Sequence, residues 1–116
     1  MNGQQAVFLA LCDDTPRQKL LKSVEDAPFL VVQASYVSPV TVKADVVLPA
    51  EIWSEQEGHF INLEGRIQSA SRAIKPADGV RSNVEVISDL AARLGISLDT
   101  DWKGQLAQAI SPVAIE

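Results

Sequence analysis

The chain has 116 residues, 47% of them hydrophobic and 22% charged, with a net charge of -5. That length fits one domain with a thin core. With 10 lysines and arginines against 15 acids, no dense cationic field is available for a phosphate backbone, which excludes nucleic acid as a general partner.

The opening MNGQQAVFLALCDDTP has no basic leader region and only a short apolar run, so no secretory signal is expected. No stretch approaches the roughly 20 apolar residues that a bilayer span needs. The single cysteine, Cys12, has no internal disulfide partner and reads as a buried free thiol in a reducing compartment. Residues 6–11 (AVFLAL) form an unbroken apolar run, the pattern of a strand covered on both faces in a parallel sheet. A helix is predicted over residues 16–24, with Thr15 as cap, Pro16 at the first helical position and Gln18 as capping-box partner. Residues 29–32 (FLVV) give a second strand, so strand, helix and strand make a right-handed parallel crossover.

A third short apolar run lies within residues 43–48 and stops at Pro49. The intervening SYVSPVTV reads as a loop at the carboxyl edge of the sheet, where open α/β sheets bind ligands. Residues 50–57 suggest a helical turn ended by Gly58, with Glu51, Glu55 and Glu57 on a solvated face. Residues 59–62 and 66–69 read as two short strands joined by Leu63-Glu64-Gly65, with Gly65 left-handed and Asn62 bonding backbone across the turn. That hairpin is expected to pack against the small sheet. After a turn-rich linker, Ser82 and Glu85 form a capping box for a helix presenting Val84, Ile87, Leu90, Ala91 and Leu94 on one face. Arg93 suits its last turn and Gly95 its C-cap. A weaker helix is expected over residues 102–110. The whole predicts an α/β fold: a small three-layer Rossmann-like domain with a short, mostly parallel sheet, a β-hairpin and C-terminal helices.

Catalytic constellations are sparse. One histidine and one cysteine lie far apart, without the spacing of a zinc site. His59 has no Gly-x-Ser-x-Gly elbow to work with and reads as exposed or locally hydrogen-bonded. Neither a P-loop nor Gly-x-Gly-x-x-Gly is present, although hydroxyls cluster at Ser35, Ser38 and Thr41 after the second strand. Arg66 is placed either to clamp a phosphate or to pair with Glu64. Trp53, Trp102 and Phe60 read as core or interface residues.

One linked set of motifs is more specific. TVKADVVLPA at 41–50 leads into WSEQEGHFINLEGRIQ at 53–68, then AIKP and a helix ending LAARLG. This resembles the molybdopterin oxidoreductase superfamily, whose pattern runs T-x-x-A-D-V-V-L-P, then E-x-x-G-T-x-x-N-x-E-G-R-x-Q, then a helix ending L-A-x-x-L-G. The likeness covers about residues 29–95. It lies nearest the large iron–sulfur subunit of NADH-quinone oxidoreductase, with the formate dehydrogenase catalytic subunit close behind.

The resemblance implies a Rossmann-like segment of a much larger chain, beside the pterin cofactor, a bis-(molybdopterin guanine dinucleotide) in active members. It matches Gln33, Ser35, Tyr36 and Thr41 to contacts with the nucleotide part. Asn62 and Arg66 complete the candidate set, within an N-x-E-G-R motif (with Gly65) that chiefly shapes the hairpin. Four features depart from the pattern. Ala34-Ser35 and Ser38-Pro39-Val40-Thr41 stand where the family often has an acidic residue after the second strand and a nearby Thr-x-Thr. His59 stands where the pattern has Thr, no cysteine cluster suits an iron–sulfur centre, and Cys12 is not where the family's molybdenum ligand falls. The implied role is therefore scaffold and subunit packing, with no cofactor held by this chain alone. Its partners would be other domains or subunits of a redox complex, in the cytoplasm or at the cytoplasmic face of a membrane reached through those partners.

Overall fold

The computed structural model describes residues 5–99, 101 and 103–105; the helix expected over residues 102–110 falls mostly outside them. Three parallel strands, β1 (Val7–Cys12), β2 (Leu30–Ala34) and β3 (Val46–Pro49), lie in the order β1-β2-β3. Each follows one of the apolar runs of the sequence. β2 is central and the most deeply covered, with Leu30, Val32, Gln33 and Ala34 all buried. Helix α1 (Gln18–Ser23) joins β1 to β2, and α2 (Pro39–Lys43) joins β2 to β3. Leu30, Val32 and Ala34 alternate onto one face, where they meet Val24 and Val40, with Leu20, Leu21 and Ala44 packed around them. Both helices thus cover the same face, as two crossovers of one hand between neighbouring strands require.

The opposite face carries Gln33, which is wholly buried and donates from Nε2 to Asn83 Oδ1 at 2.8 Å. Asn83 opens α3 (Asn83–Arg93), so this helix forms the third layer. The result is a small α/β fold with a parallel sheet, a hairpin and a C-terminal helix.

Local chemistry explains the joints. Asp45 of the ADVVLP motif accepts the Leu30 N–H on Oδ2 at 2.7 Å and returns its own N–H to the Leu30 carbonyl at 2.9 Å. The acid therefore fixes where β3 begins against β2, which makes its place in the motif structural.

Two local expectations are corrected. The cap of α1 is Arg17, without a side-chain hydrogen bond; the Thr15 N–H instead donates to Asp14 Oδ1, so no Thr15–Gln18 box forms. The SYVSPVTV segment is not a loop throughout. Ser38 caps α2, Pro39 takes its first turn and Thr41 closes a reciprocal box. Ser-Pro followed by a hydroxyl three residues after the cap was the available signal, masked by the β-branched Val-Thr-Val that favours extended backbone.

Strands β4 (Gly58–Ile61) and β5 (Ile67–Ala70) form a separate antiparallel two-stranded sheet. Asn62 Oδ1 accepts from the Glu64 and Arg66 N–H groups, both at 2.9 Å, and Gly65 sits at φ 79. The hairpin does not bed into the parallel sheet, however: Phe60, Ile61 and Leu63 are exposed. Trp53 is 74% exposed, so neither it nor Phe60 belongs to the core. Gly65→Val forces a branched side chain into left-handed backbone and is expected to cost about 1 kcal/mol or more. Faster amide exchange across β4 and β5 is the readout.

Helix α3 has the predicted Ser82–Glu85 box, with Arg93 in its last turn and Gly95 at φ 70. Its inward face is shifted from the expected one. Val84 and Leu94 are exposed, while Ala91 is buried and Val86, Ile87 and Leu90 are half-buried. The Ser82 hydroxyl and N–H both hold the Glu85 carboxylate, which lowers its pKa below the ordinary 4.5. A carboxyl with a depressed folded pKa contributes stability above its unfolded pKa and loses it as pH falls through the folded value. The start of α3 should therefore loosen below about pH 4.5, and Glu85→Gln should remove that pH dependence in amide exchange at residues 82–86.

Candidate functional site

The carboxyl ends of the strands converge where β2 runs out. The Ser35 N–H donates to the Cys12 carbonyl at 2.8 Å, tying the ends of β1 and β2. Ser35 Oγ donates toward the Ala50 and Glu51 carbonyls at 3.0 and 3.1 Å, tying in the exit of β3. Thr41 Oγ1 accepts the Ser38 N–H at 2.8 Å and faces the Ser38 carbonyl at 2.9 Å. Tyr36 is 49% exposed. Ser35, Tyr36 and Thr41 line one shallow pocket of about 280 Å³ with Ala34, Val37, Val47 and Pro49.

The other candidates lie elsewhere. Gln33 is buried against α3, and Asn62 and Arg66 stand at the hairpin tip. Of the two readings of Arg66, its Nε faces Glu64 Oε2 at 3.6 Å, with both side chains largely exposed. Screening by water leaves such a pair little stabilising energy.

A pterin dinucleotide would present a diphosphate, a guanine and a dithiolene to a site built from these residues. The pocket lining contains no lysine or arginine, and two of its three hydroxyls, those of Ser35 and Thr41, already give their protons to carbonyls. The residues present therefore do not fit the diphosphate. What the pocket offers is one aromatic side chain beside a hydroxyl-bearing wall.

Sequence reasoning missed the most deeply set charged pair. Glu51 is buried, its side chain 4% exposed, and Arg72 NH2 donates to its Oε1 at 2.8 Å. Arg72 Nε also donates to the Glu55 carbonyl at 2.6 Å, and the Ala73 and Ile74 N–H groups reach the Ser54 carbonyl. Glu51 is thus not on the solvated face expected for it. It anchors the chain that leaves the hairpin, and only the three-dimensional return of residue 72 reveals this.

Cys12 is half-buried, with φ 54 at the end of β1. Burial, and then the Asp13 carboxylate, raise its thiol pKa, which keeps it protonated and poorly nucleophilic. Among the described residues no group of three or more His, Cys, Asp or Glu is placed to hold a metal ion, and no helix is long and apolar enough to cross a membrane.

A three-stranded parallel sheet with the ADVVLP strand start, followed by the separate N-x-E-G-R hairpin, defines a Rossmann-type α/β segment, and the chain belongs to the molybdopterin oxidoreductase family, whose pattern matches residues 1–93. It is 33% identical over 97 residues to an NADH-quinone oxidoreductase subunit of Rickettsia felis, covering 84% of this chain and 14% of that one. It is 40% identical over 103 residues to the F420-dependent formate dehydrogenase subunit alpha of Methanocaldococcus jannaschii, covering 81% and 15%. With the assimilatory nitrate reductase of Haloferax mediterranei it shares 41% over 70 residues, covering 60% and 10%. The chain thus spans about a seventh of the length of the first two of these relatives.

Proposed function

We propose that this chain is a non-catalytic scaffold and assembly domain of a redox complex of the NADH-quinone oxidoreductase or formate dehydrogenase type. It packs against the other domains or subunits that carry the electron-transfer centres. The observation that supports this most directly is the contrast between its two halves. The strands are tied to one another by the Ser35 hydroxyl, the Asp45 carboxylate and the Cys12 carbonyl, while a well-formed hairpin stands away from the core with large apolar groups exposed. Such a molecule presents surface to protein. The proposed location is cytoplasmic, at a membrane face only through partners. Purified chain assayed for molybdenum and iron should hold neither in stoichiometric amount; a full complement of either would end this reading.

A second reading, contacts to the guanine end of a molybdopterin guanine dinucleotide in a complete enzyme, is favoured by one feature, the Tyr36-walled pocket. Titration with guanosine and with GDP separates the two. Under the scaffold reading neither shifts the amide resonances of Ser35, Tyr36 and Thr41. Equal shifts with both would establish a base-only contact.

A further inference from the structure

We propose that the cleft between β3 and α3 binds a small monocarboxylate with an apolar body, its carboxylate held by Arg81 and Arg93. The proposal goes beyond the scaffold reading and does not depend on it. The cleft is also distinct from the Tyr36 pocket, with which it shares only Pro49.

Chain order builds the cleft. Gly79, at φ 88, makes the turn that brings Arg81 into a parallel bridge with Ala50, just past β3. Helix α3 opens directly afterwards at Asn83. Val86, Asp89, Leu90 and Arg93 follow the i, i+3, i+4, i+7 spacing and so share one face of that helix. With Leu48 and Pro49 of β3 they bound a volume of about 290 Å³. At about 30 Å³ per water, that admits a ligand of roughly ten non-hydrogen atoms. Leu48, Val86 and Leu90 are half-buried and form an apolar floor.

The rim is charged, and unevenly. Arg81 Nη1 donates to Asp89 Oδ2 at 3.2 Å, and Arg93 Nε lies 3.3 Å from Oδ1. The Arg81 hydrogen bond, then the Arg93 charge, lower the Asp89 pKa below its ordinary 3.8, so this carboxyl is ionised at neutral pH. Two guanidiniums therefore share one carboxylate, one on each oxygen, and no second acid lines the cleft. Each guanidinium carries five N–H donors, most of them not used by Asp89. The unused donors of both arginines meet above the apolar floor, which is the geometry that receives a further carboxylate. The Tyr36 pocket, of about 280 Å³, has no cation in its lining and lacks this chemistry. Arg81 and Arg93 are 51% and 76% exposed, so the charge contact alone is weak in water and the apolar body must supply the rest.

The test is a titration of the isotope-labelled chain with phenylacetate, followed by nuclear magnetic resonance. Saturable shifts of the Leu48, Val86 and Leu90 methyl resonances are expected by about 20 mM. Phenylacetamide, the neutral isostere, and acetate, which lacks the ring, should each bind about tenfold more weakly or worse. Arg93→Gln should weaken phenylacetate about fivefold and leave phenylacetamide unchanged, with melting of the variant to verify its fold. Equal binding of phenylacetate and phenylacetamide would make the cleft merely apolar and overturns the proposal. The same holds for no saturable shift, for shifts centred on other residues, and for unchanged affinity in a folded Arg93→Gln chain. Should that variant not fold, the ranking of the three probes on the unaltered chain decides.

Discussion

Arg72→Ala is expected to destabilise the chain by about 2–3 kcal/mol, read as a lowered midpoint in urea. The cause is the carboxylate left behind. Glu51 is 3% exposed as a residue, and its Oε1 receives the guanidinium at 2.8 Å. Removing one partner of a buried pair strands the other charge in a medium that solvates it poorly. Arg72 itself is 35% exposed, so water screens part of the attraction and places the effect below the upper range for fully buried pairs. Replacing both residues, Glu51→Leu with Arg72→Leu, should recover most of the loss, because the stranded charge is then gone. A double variant no more stable than Arg72→Ala would show that packing of the arginine stem, and not the ion pair, was the source. Arg72 also holds the Glu55 carbonyl, so amide exchange in β4 and β5 should accelerate with the single variant before the parallel sheet loosens.

Leu30→Ala should cost about 3 kcal/mol, within the usual range for removing a buried leucine side chain. Leu30 is 2% exposed in the central strand and faces the residues under α1 and α2. The cavity lies where both flanking strands are registered, with Val7 beside Leu30 on one side and the Asp45 contacts on the other. Such a site relaxes little, which keeps the penalty high. Leu63→Ala is the matched control. That leucine is fully exposed at the hairpin tip, so its truncation should leave the midpoint within about 0.5 kcal/mol. Equal effects at the two positions would contradict the assignment of the core to the β2 face.

The parts of this fold that were legible share one property: local and tertiary preferences agree. AVFLAL and FLVV form strands as their apolar runs favour, although of these residues only Leu11, Leu30 and Val32 are buried, so the first strand is not covered on both faces as expected. Ser82 and Glu85 cap the helix they announce, and Gly65 and Asn62 make the turn that their chemistry favours. The misread parts are those where distant contacts outvote local pattern. Val40 belongs to a β-branched run, yet it is wholly buried in a helix because its place over β2 rewards that geometry. Glu51 looks like one of three solvated acids until Arg72 returns to it across 21 residues. Val84 and Leu94 fit an apolar stripe by spacing, but both are exposed, and the inward face turns toward Val86 and Leu90.

The candidate site was legible to a similar depth. Residues Ser35, Tyr36 and Thr41 share a pocket, as closeness in sequence suggests. Gln33 does not join them, because alternation along β2 sends its side chain to the other face, where it meets Asn83. Its Oε1 is buried without a hydrogen-bond partner, which marks the contact with α3 as only half satisfied. Asn62 and Arg66 belong to a separate sheet, so the motif that unites them in sequence serves the turn.

The twofold grip of Asn62 on the hairpin tip has a kinetic meaning. An arm whose turn is already set by side-chain bonds arrives at a partner with its loop geometry decided, so contact need not first freeze a wandering loop. In the proposed assembly, association through this prong would be limited by orientation and collision, and the lifetime of the contact by how well Phe60 and Ile61 are received.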